Sequence, residues 1–259
     1  MYDMIPMYFE FIKQIETPKN SIFYSMIPYQ DNSNRILAVG RRRYDERILK
    51  FMILDQYLNV IKDNQTFLVR GEDPRCFYHN NFVYIQDNYW NDLHLINLTT
   101  RDDIKIDIDG KNLSFISHND RLYFIHFMCP FSLYELCLET GEIFPVEVYQ
   151  EDYVNYEYRG GTPAYKLCDD VYYGFGHRTF TNFEGVLLHD VFYWEVHFTH
   201  DKPFIQIWNI EQPPGSLNLC DPTCVITLNN RNYLVTAESE YPWFQDQEYI
   251  TNVYEIIKD

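Results

Sequence analysis

The stretch DPRCFYHNNFVYIQDN, residues 73–88, reads as two β-strands joined by a two-residue turn. Phe, Tyr, Val and Ile crowd both flanks, and these residues favour a pleated, half-buried surface. Between them lie Asn80 and Asn81. Asparagine and aspartate tolerate the positive φ that short hairpin turns require. The same unit recurs as LSFISHNDRLYFIHFM (113–128), TPAYKLCDDVYYGFGH (162–177) and DPTCVITLNNRNYLVTAE (221–238). The turns are His79-Asn80-Asn81, His118-Asn119-Asp120, Cys168-Asp169-Asp170 and Asn229-Asn230-Arg231. A less regular fifth copy is YSMIPYQDNSNRILAVGRRR (24–43), with its turn at residues 31–34. Further apolar strands follow the copies, such as ILKFMILD, LHLINL, LYELCL and VYEII.

Spacings of about forty to sixty residues between turns match a four-stranded blade rather than a sandwich strand repeat. The reading is all-β, a single five-bladed β-propeller over residues 1–259. A two-sheet sandwich with long loops is the competing arrangement. Within the propeller, Phe180–Glu211 is expected as an extended outer hairpin of the fourth blade, carrying His189, His197 and His200 as surface histidines.

Composition supports an all-β chain: 18% aromatic, with 23 Tyr and 19 Phe against 10 Gly. The net charge of −17 opposes nucleic-acid binding, because holding phosphates needs clustered Lys and Arg. No apolar run reaches membrane-spanning length and the N-terminus lacks signal-peptide character, so a cytoplasmic protein with no membrane partner is expected. The six cysteines are scattered through apolar stretches and read as buried free thiols. Cys220 and Cys224 have no second pair at zinc-site spacing, so neither a metal nor a cofactor is expected.

In a propeller the first strand of each blade lines the central channel, so polar residues near those strand starts converge. That group holds Arg41 to Arg43 with Asp45, Glu72 to Arg75, Lys111-Asn112, Arg159 to Thr162, His177-Arg178 and Glu238 to Asp246. Arginines, carboxylates and a histidine gathered in one pocket suit a polyhydroxylated or anionic small ligand. Each motif also has a purely structural reading: Glu72-Asp73-Pro74 as a turn, Gly160-Gly161 as a positive-φ loop, the arginine run as a solvated hairpin end.

Taken together, GEDPR (71–75), GGTPAYKLCDDVYYGFGH (160–177) and YLVTAESE (233–240) resemble the five-bladed propellers of glycoside hydrolase family 130, the β-mannoside phosphorylases and their transferase and hydrolase relatives. The resemblance implies Asp73 and Arg75 near the donor sugar, Arg42 or Arg43 at that sugar's hydroxyls, Glu240 contacting the sugar, and His177 holding phosphate. Asp73 is then the catalytic base, while Lys111 and Asn112 stand where the family has a Lys-Asp pair with the general acid. An amide cannot donate and retrieve a proton as a carboxyl does. His126-Phe127 likewise replaces a His-Arg pair that contacts phosphate, removing a bidentate anion contact. A Lys-Asn opening also resembles more distant propellers associated with glycan or sugar-phosphate transfer. Two functions follow as expectations: inverting glycosyl transfer or cleavage on a mannose-like glycoside or sugar phosphate, or glycan binding without catalysis. Arg159, His177 and Arg178, with the backbone N–H groups of Gly160 and Gly161, are expected to form an anion site.

Overall fold

The computed structural model describes residues 6–18, 21–29, 34–42, 48–89, 92–110, 112–149, 154–198, 201–240 and 249–258. Among these residues every regular element is a strand. Strand β1 (Met7–Ile15) is followed by three four-stranded antiparallel sheets in chain order. The first holds β2 (Ser21–Pro28), β3 (Ile36–Arg42), β4 (Ile48–Leu54) and β5 (Val60–Arg70). The second holds β6 (Glu72–His79), β7 (Phe82–Tyr89), β8 (Asp92–Asn97) and β9 (Asp103–Ile106). The third holds β10 (Ser114–His118), β11 (Arg121–Phe127), β12 (Ser132–Leu136) and β13 (Ile143–Val146).

The remaining strands form one nine-stranded sheet with β1 at its edge. They are β14 (Tyr158–Arg159), β15 (Tyr165–Cys168), β16 (Val171–Thr181), β17 (Leu187–His197), β18 (Phe204–Asn209), β19 (Leu219–Leu228), β20 (Arg231–Ser239) and β21 (Ile250–Lys258). This sheet consists of two antiparallel runs, β14 to β18 and β19 to β21 with β1, joined by a single parallel pair, His189 with Leu219. The N-terminal strand β1 pairs with β21 from Met7–Lys258 to Ile15–Thr251, so the two ends of the chain share one sheet.

The turn chemistry decides the hairpins. Asn80 and Asn81 have φ of 48° and 66°, Asn119 and Asp120 47° and 60°, Asn229 and Asn230 51° and 60°. Two successive positive φ values match the twist of the flanking strands. The pairs closing these turns are His79–Phe82, His118–Arg121 and Leu228–Arg231. At Cys168–Val171 only Asp170, of the two turn residues, has positive φ, 60°. The fifth copy's turn lies mostly outside the described residues.

Side chains fill the space between neighbouring sheets. Phe77 of β6 stacks on Phe115 of β10 with centroids 4.8 Å apart and planes 9° apart. Leu95, Phe124 and Leu136 complete that buried layer. Each fully buried aromatic of this kind contributes about 1.5–3 kcal/mol. The first strands of the successive runs are also tied edge to edge. Cys76 N donates to Ser25 Oγ at 3.0 Å, His79 Nδ1 lies 2.9 Å from Ser117 Oγ, and Ala164 N donates to Phe115 O at 2.9 Å. Val225 N donates to Tyr165 Oη at 2.7 Å, and Thr223 Oγ1 to Tyr24 O at 2.7 Å. The bonds thus pass from β2 to β6, β10, β15 and β19 and return to β2.

Among the described residues no helix is long and apolar enough to cross a membrane. All six cysteines are free, but Cys168 is exposed and Cys137 half-buried, so the expectation of uniform burial is corrected. Both sit where chain reversals carry them out of the packed layers.

Candidate functional site

Asp73 stands at the start of β6 with φ of 48°, a conformation that costs a non-glycine residue energy and persists where the surroundings enforce it. Its Oδ1 accepts from Arg41 Nε at 3.0 Å, and the Arg41 guanidinium lies over the Phe23 ring at 5.1 Å. The arginine that reaches Asp73 is therefore Arg41. Arg43 and Lys111 lie outside the described residues, as does the side chain of Arg42, although its backbone ends β3 opposite Ser21.

Arg75 is 1% exposed. It points inward and binds backbone: Nε donates to Gly161 O at 2.6 Å, and Nη1 to Pro74 O at 3.1 Å and Asp73 O at 3.3 Å. Burial lowers its pKa, against the favourable fields of Asp73 and Asp221. A buried guanidinium spent on carbonyls organises the strand starts rather than presenting itself to a ligand.

On the far side of Gly161, β14 pairs Arg159 with His177 and Tyr158 with Arg178. His177 is buried and Arg159 exposed. The His177 ring stacks on His189 with centroids 4.8 Å apart, and its Nδ1 lies 3.5 Å from Asp221 Oδ1, too far for a good hydrogen bond. His189 Nδ1 is 2.9 Å from the same oxygen. Burial drives the His177 pKa down to about 4, with Asp221 opposing and His189, Arg159 and Arg75 adding to the fall. Burial raises Asp221, but the fields of His177, His189 and Arg75 outweigh it and leave the carboxyl below its usual range. His189 is thus a partner of a buried carboxylate, which corrects its placement as a surface histidine. Strand β17 carries it there, in a register that sets it opposite Thr179 and beside Leu219.

The pleat sends Arg178 away from His177. Its Nη2 donates to Asp190 Oδ2 at 3.0 Å and its guanidinium covers the Phe180 ring at 4.4 Å. Arg159 and His177 are brought together; Arg178 faces elsewhere. The Gly160-Gly161 loop does not have positive φ. Gly160 is needed for close approach instead, since a Cβ there would overlap the carbonyl oxygen of Asn112. Asn112 itself has φ of 63°. Glu240 is exposed, and its carbonyl accepts from Asn218 Nδ2 at 3.0 Å. Two residues earlier, Glu238 is fully buried, accepting from Thr236 Oγ1 at 2.6 Å, Tyr254 Oη at 2.8 Å and Leu217 N at 3.1 Å.

Three residues of this centre do not stand out in the sequence as site residues: Asp221, His189 and Asp87. Asp221 had a signal. Asp73-Pro74-Arg75-Cys76 and Asp221-Pro222-Thr223-Cys224 are the same Asp-Pro-x-Cys phrase at the starts of two inner strands. Asp87 on β7 is 1% exposed, and neither oxygen has a hydrogen bond of good geometry. It fills the place a side chain at Gly71 would take. Burial pushes its pKa up to about 8, the Glu72 and Asn88 N–H groups offsetting part and the charges of Asp103 and Asp73 adding to it. At the opposite end of the inner strands, a cavity of about 430 Å³ is lined by Pro28, Tyr78, Phe115, Ser117, Lys166 and Thr227, among others.

No protein-family profile matches the chain, and no curated protein matches it in sequence. Solved structures do. A mannose phosphorylase from Leishmania mexicana, MPT-4, in complex with a phosphate ion, superposes with a TM-score of 0.62 at 12% identity, over 95% of this chain and 88% of that one. MPT-1, a GDP-Man-dependent mannosyltransferase from the same organism, gives 0.58 at 9% identity, over 96% and 89%. The GH43B protein of a Bacteroides ovatus xyloglucan locus gives 0.62 at 13% identity, over 95% of this chain but only 55% of that one, so the chain spans about half its length. These likenesses establish the fold as a β-propeller, and the resemblance to family 130 stands as a resemblance of fold.

Proposed function

We propose that the chain is a single five-bladed propeller domain that acts on a mannose-like glycoside or sugar phosphate with inversion, by glycosyl transfer or cleavage. The run of bonds from β2 through β6, β10, β15 and β19 supports five blades. The observation that carries the functional reading is the Asp73 carboxylate, held in a left-handed conformation at an inner strand start and bound by Arg41 at 3.0 Å. Asp73 serves as base, with Arg41 and, beyond the described side chains, Arg42 and Arg43 at the sugar. Arg159 and His177 form an anion site beside it.

Asn112 in place of a carboxyl removes a proton donor. A phosphate leaving group departs as an anion without being protonated, so a sugar-phosphate donor needs only the positive site that Arg159 supplies. The relatives that bind a phosphate ion or use GDP-Man favour this substrate class. The test is product formation from a panel of nucleotide sugars, sugar 1-phosphates and β-mannosides, read by mass spectrometry, with Asp73→Asn as control. Turnover abolished by the substitution supports the reading; absence of turnover across the panel overturns it.

A second reading is a glycan-binding propeller without catalysis. It is favoured by Phe127, 42% exposed and edge-on to Tyr156 at 5.9 Å, an aromatic pair suited to stacking on a sugar ring. Binding to sugars without turnover distinguishes it.

A further inference from the structure

His177, His189 and Asp221 place two imidazole nitrogens and one carboxylate oxygen within 4.8 Å of one another. The three residues come from β16, β17 and β19, and backbone pairing holds all three strands. Both histidines direct Nδ1 at the same oxygen, at 3.5 Å and 2.9 Å. At 2.9 Å His189 is within hydrogen-bond distance of that oxygen, whereas 3.5 Å is too long for His177. The Nδ1 of His177 is then buried with no hydrogen-bond partner. A buried ring nitrogen without a partner is destabilising unless something occupies its lone pair.

We infer that His177, His189 and Asp221 bind a divalent transition-metal ion of the zinc class. Ligand atoms on a tetrahedral zinc with bonds of about 2.0–2.2 Å stand about 3.3–3.6 Å apart; here the two Nδ1 atoms lie 3.5 Å and 2.9 Å from Asp221 Oδ1 and the three ligand atoms fall within 4.8 Å, so a small shift of His189 completes the set. Two imidazoles and one carboxylate are a donor set that zinc accepts and that magnesium or calcium, which prefer all-oxygen surroundings, do not. Three protein ligands leave a fourth position for water or for an oxygen of a bound ligand. Arg75 and Arg159, whose fields reach His177, oppose a dication and set the affinity below that of a site with a second carboxylate. The expectation of no metal rests on the spacing of cysteines along the chain and on reading His189, His197 and His200 as surface histidines of an outer hairpin rather than ligands; neither carries information on ligands brought together by three strands. The inference shares His177 with the proposed anion site, but its test contains neither sugar nor phosphate and so can fail or succeed apart from the glycosyl-transfer reading.

The experiment uses the full chain without an affinity tag, stripped with a chelator and dialysed. Cobalt(II) is titrated by visible absorption and zinc(II) by calorimetry. The expected result is one equivalent of zinc per chain that displaces cobalt and its tetrahedral absorption band. His189→Ala and His189→Gln each weaken zinc binding by about 100-fold or more, beyond the usual effect of losing an outer partner. His94→Ala, which removes the exposed histidine paired with Asp103, leaves it unchanged. Because Asp221 is buried, the half-buried His189 carries the decision, with circular dichroism confirming that the fold is kept. Absence of stoichiometric binding, or binding that persists in both His189 variants, overturns the inference.

Discussion

Arg75 donates its Nε proton to the carbonyl of Gly161 at 2.6 Å, joining chain positions 86 residues apart inside the propeller. The bond ties the start of β6 to the loop that carries Arg159 towards His177. Replacing Arg75 with methionine keeps much of the volume but leaves three carbonyls without a donor and Asp221 without a nearby cation. Urea denaturation is expected to show a loss of about 3–5 kcal/mol, the scale for removing one member of a buried charged network. A loss under about 1 kcal/mol would show that the buried guanidinium is dispensable.

Gly160 lies where the chain passes closest to Asn112. Gly160→Ala must displace a carbonyl of the neighbouring strand start, and overpacking of this kind costs about 1–3 kcal/mol. The thermal midpoint should fall, and any anion or sugar affinity should fall with it, because the same loop positions Arg159. A midpoint equal to that of the parent protein would contradict the close approach.

Asp87 gives a pH dependence of definite sign. A carboxyl held at about 8 in the fold, against its usual 3.8, binds its proton more tightly when folded. Its contribution is therefore neutral at low pH and becomes progressively destabilising as the pH rises from about 4 to 8. Asp87→Asn removes that penalty. At pH 8 the variant is expected to be more stable than the parent protein by at least about 2 kcal/mol, a cautious fraction of the roughly 6 kcal/mol that a shift from 3.8 to about 8 represents at roughly 1.4 kcal/mol per tenfold step. The difference between the two should vanish near pH 4. Denaturant titrations at four pH values measure it, and a difference independent of pH would refute the assignment.

Asp73→Asn is predicted to reduce kcat about 100-fold or more on whichever donor the substrate panel identifies, the scale of losing a general base. Arg41→Met should raise KM more than it lowers kcat, because Arg41 holds the Asp73 carboxylate and, in the proposed mechanism, binds the sugar without transferring a proton. Steady-state kinetics separates the two effects. Equal activity in Asp73→Asn and the parent protein would remove Asp73 from the mechanism.

His177→Ala should weaken binding of phosphate or a sugar phosphate by about 1–3 kcal/mol, as for loss of a hydrogen bond to an ion. Calorimetry with inorganic phosphate checks it, and unchanged affinity would leave His177 a structural residue.

The sequence by itself determined the features that depend on one residue and its near neighbours. Asn80-Asn81, Asn119-Asp120 and Asn229-Asn230 could be read as turns because positive φ is a local property, and the alternation of aromatic strands around them is equally local. The place of Asp73 at a strand start followed from counting along those hairpins, whereas His177, expected at a strand end, lies inside β16, which runs on to Thr181. Tertiary structure alone decided which side chains meet. Arg41 meets Asp73 from a strand of a different sheet, so that contact depended on register and packing. His189 reaches Asp221 only because β17 touches β19 through a single parallel pair, across thirty-two positions of sequence. The pairing of β1 with β21 likewise joins the two chain ends, a contact no local pattern encodes. Local conformational preference is written residue by residue, whereas the convergence of distant strand starts on one axis arises from packing all the sheets at once.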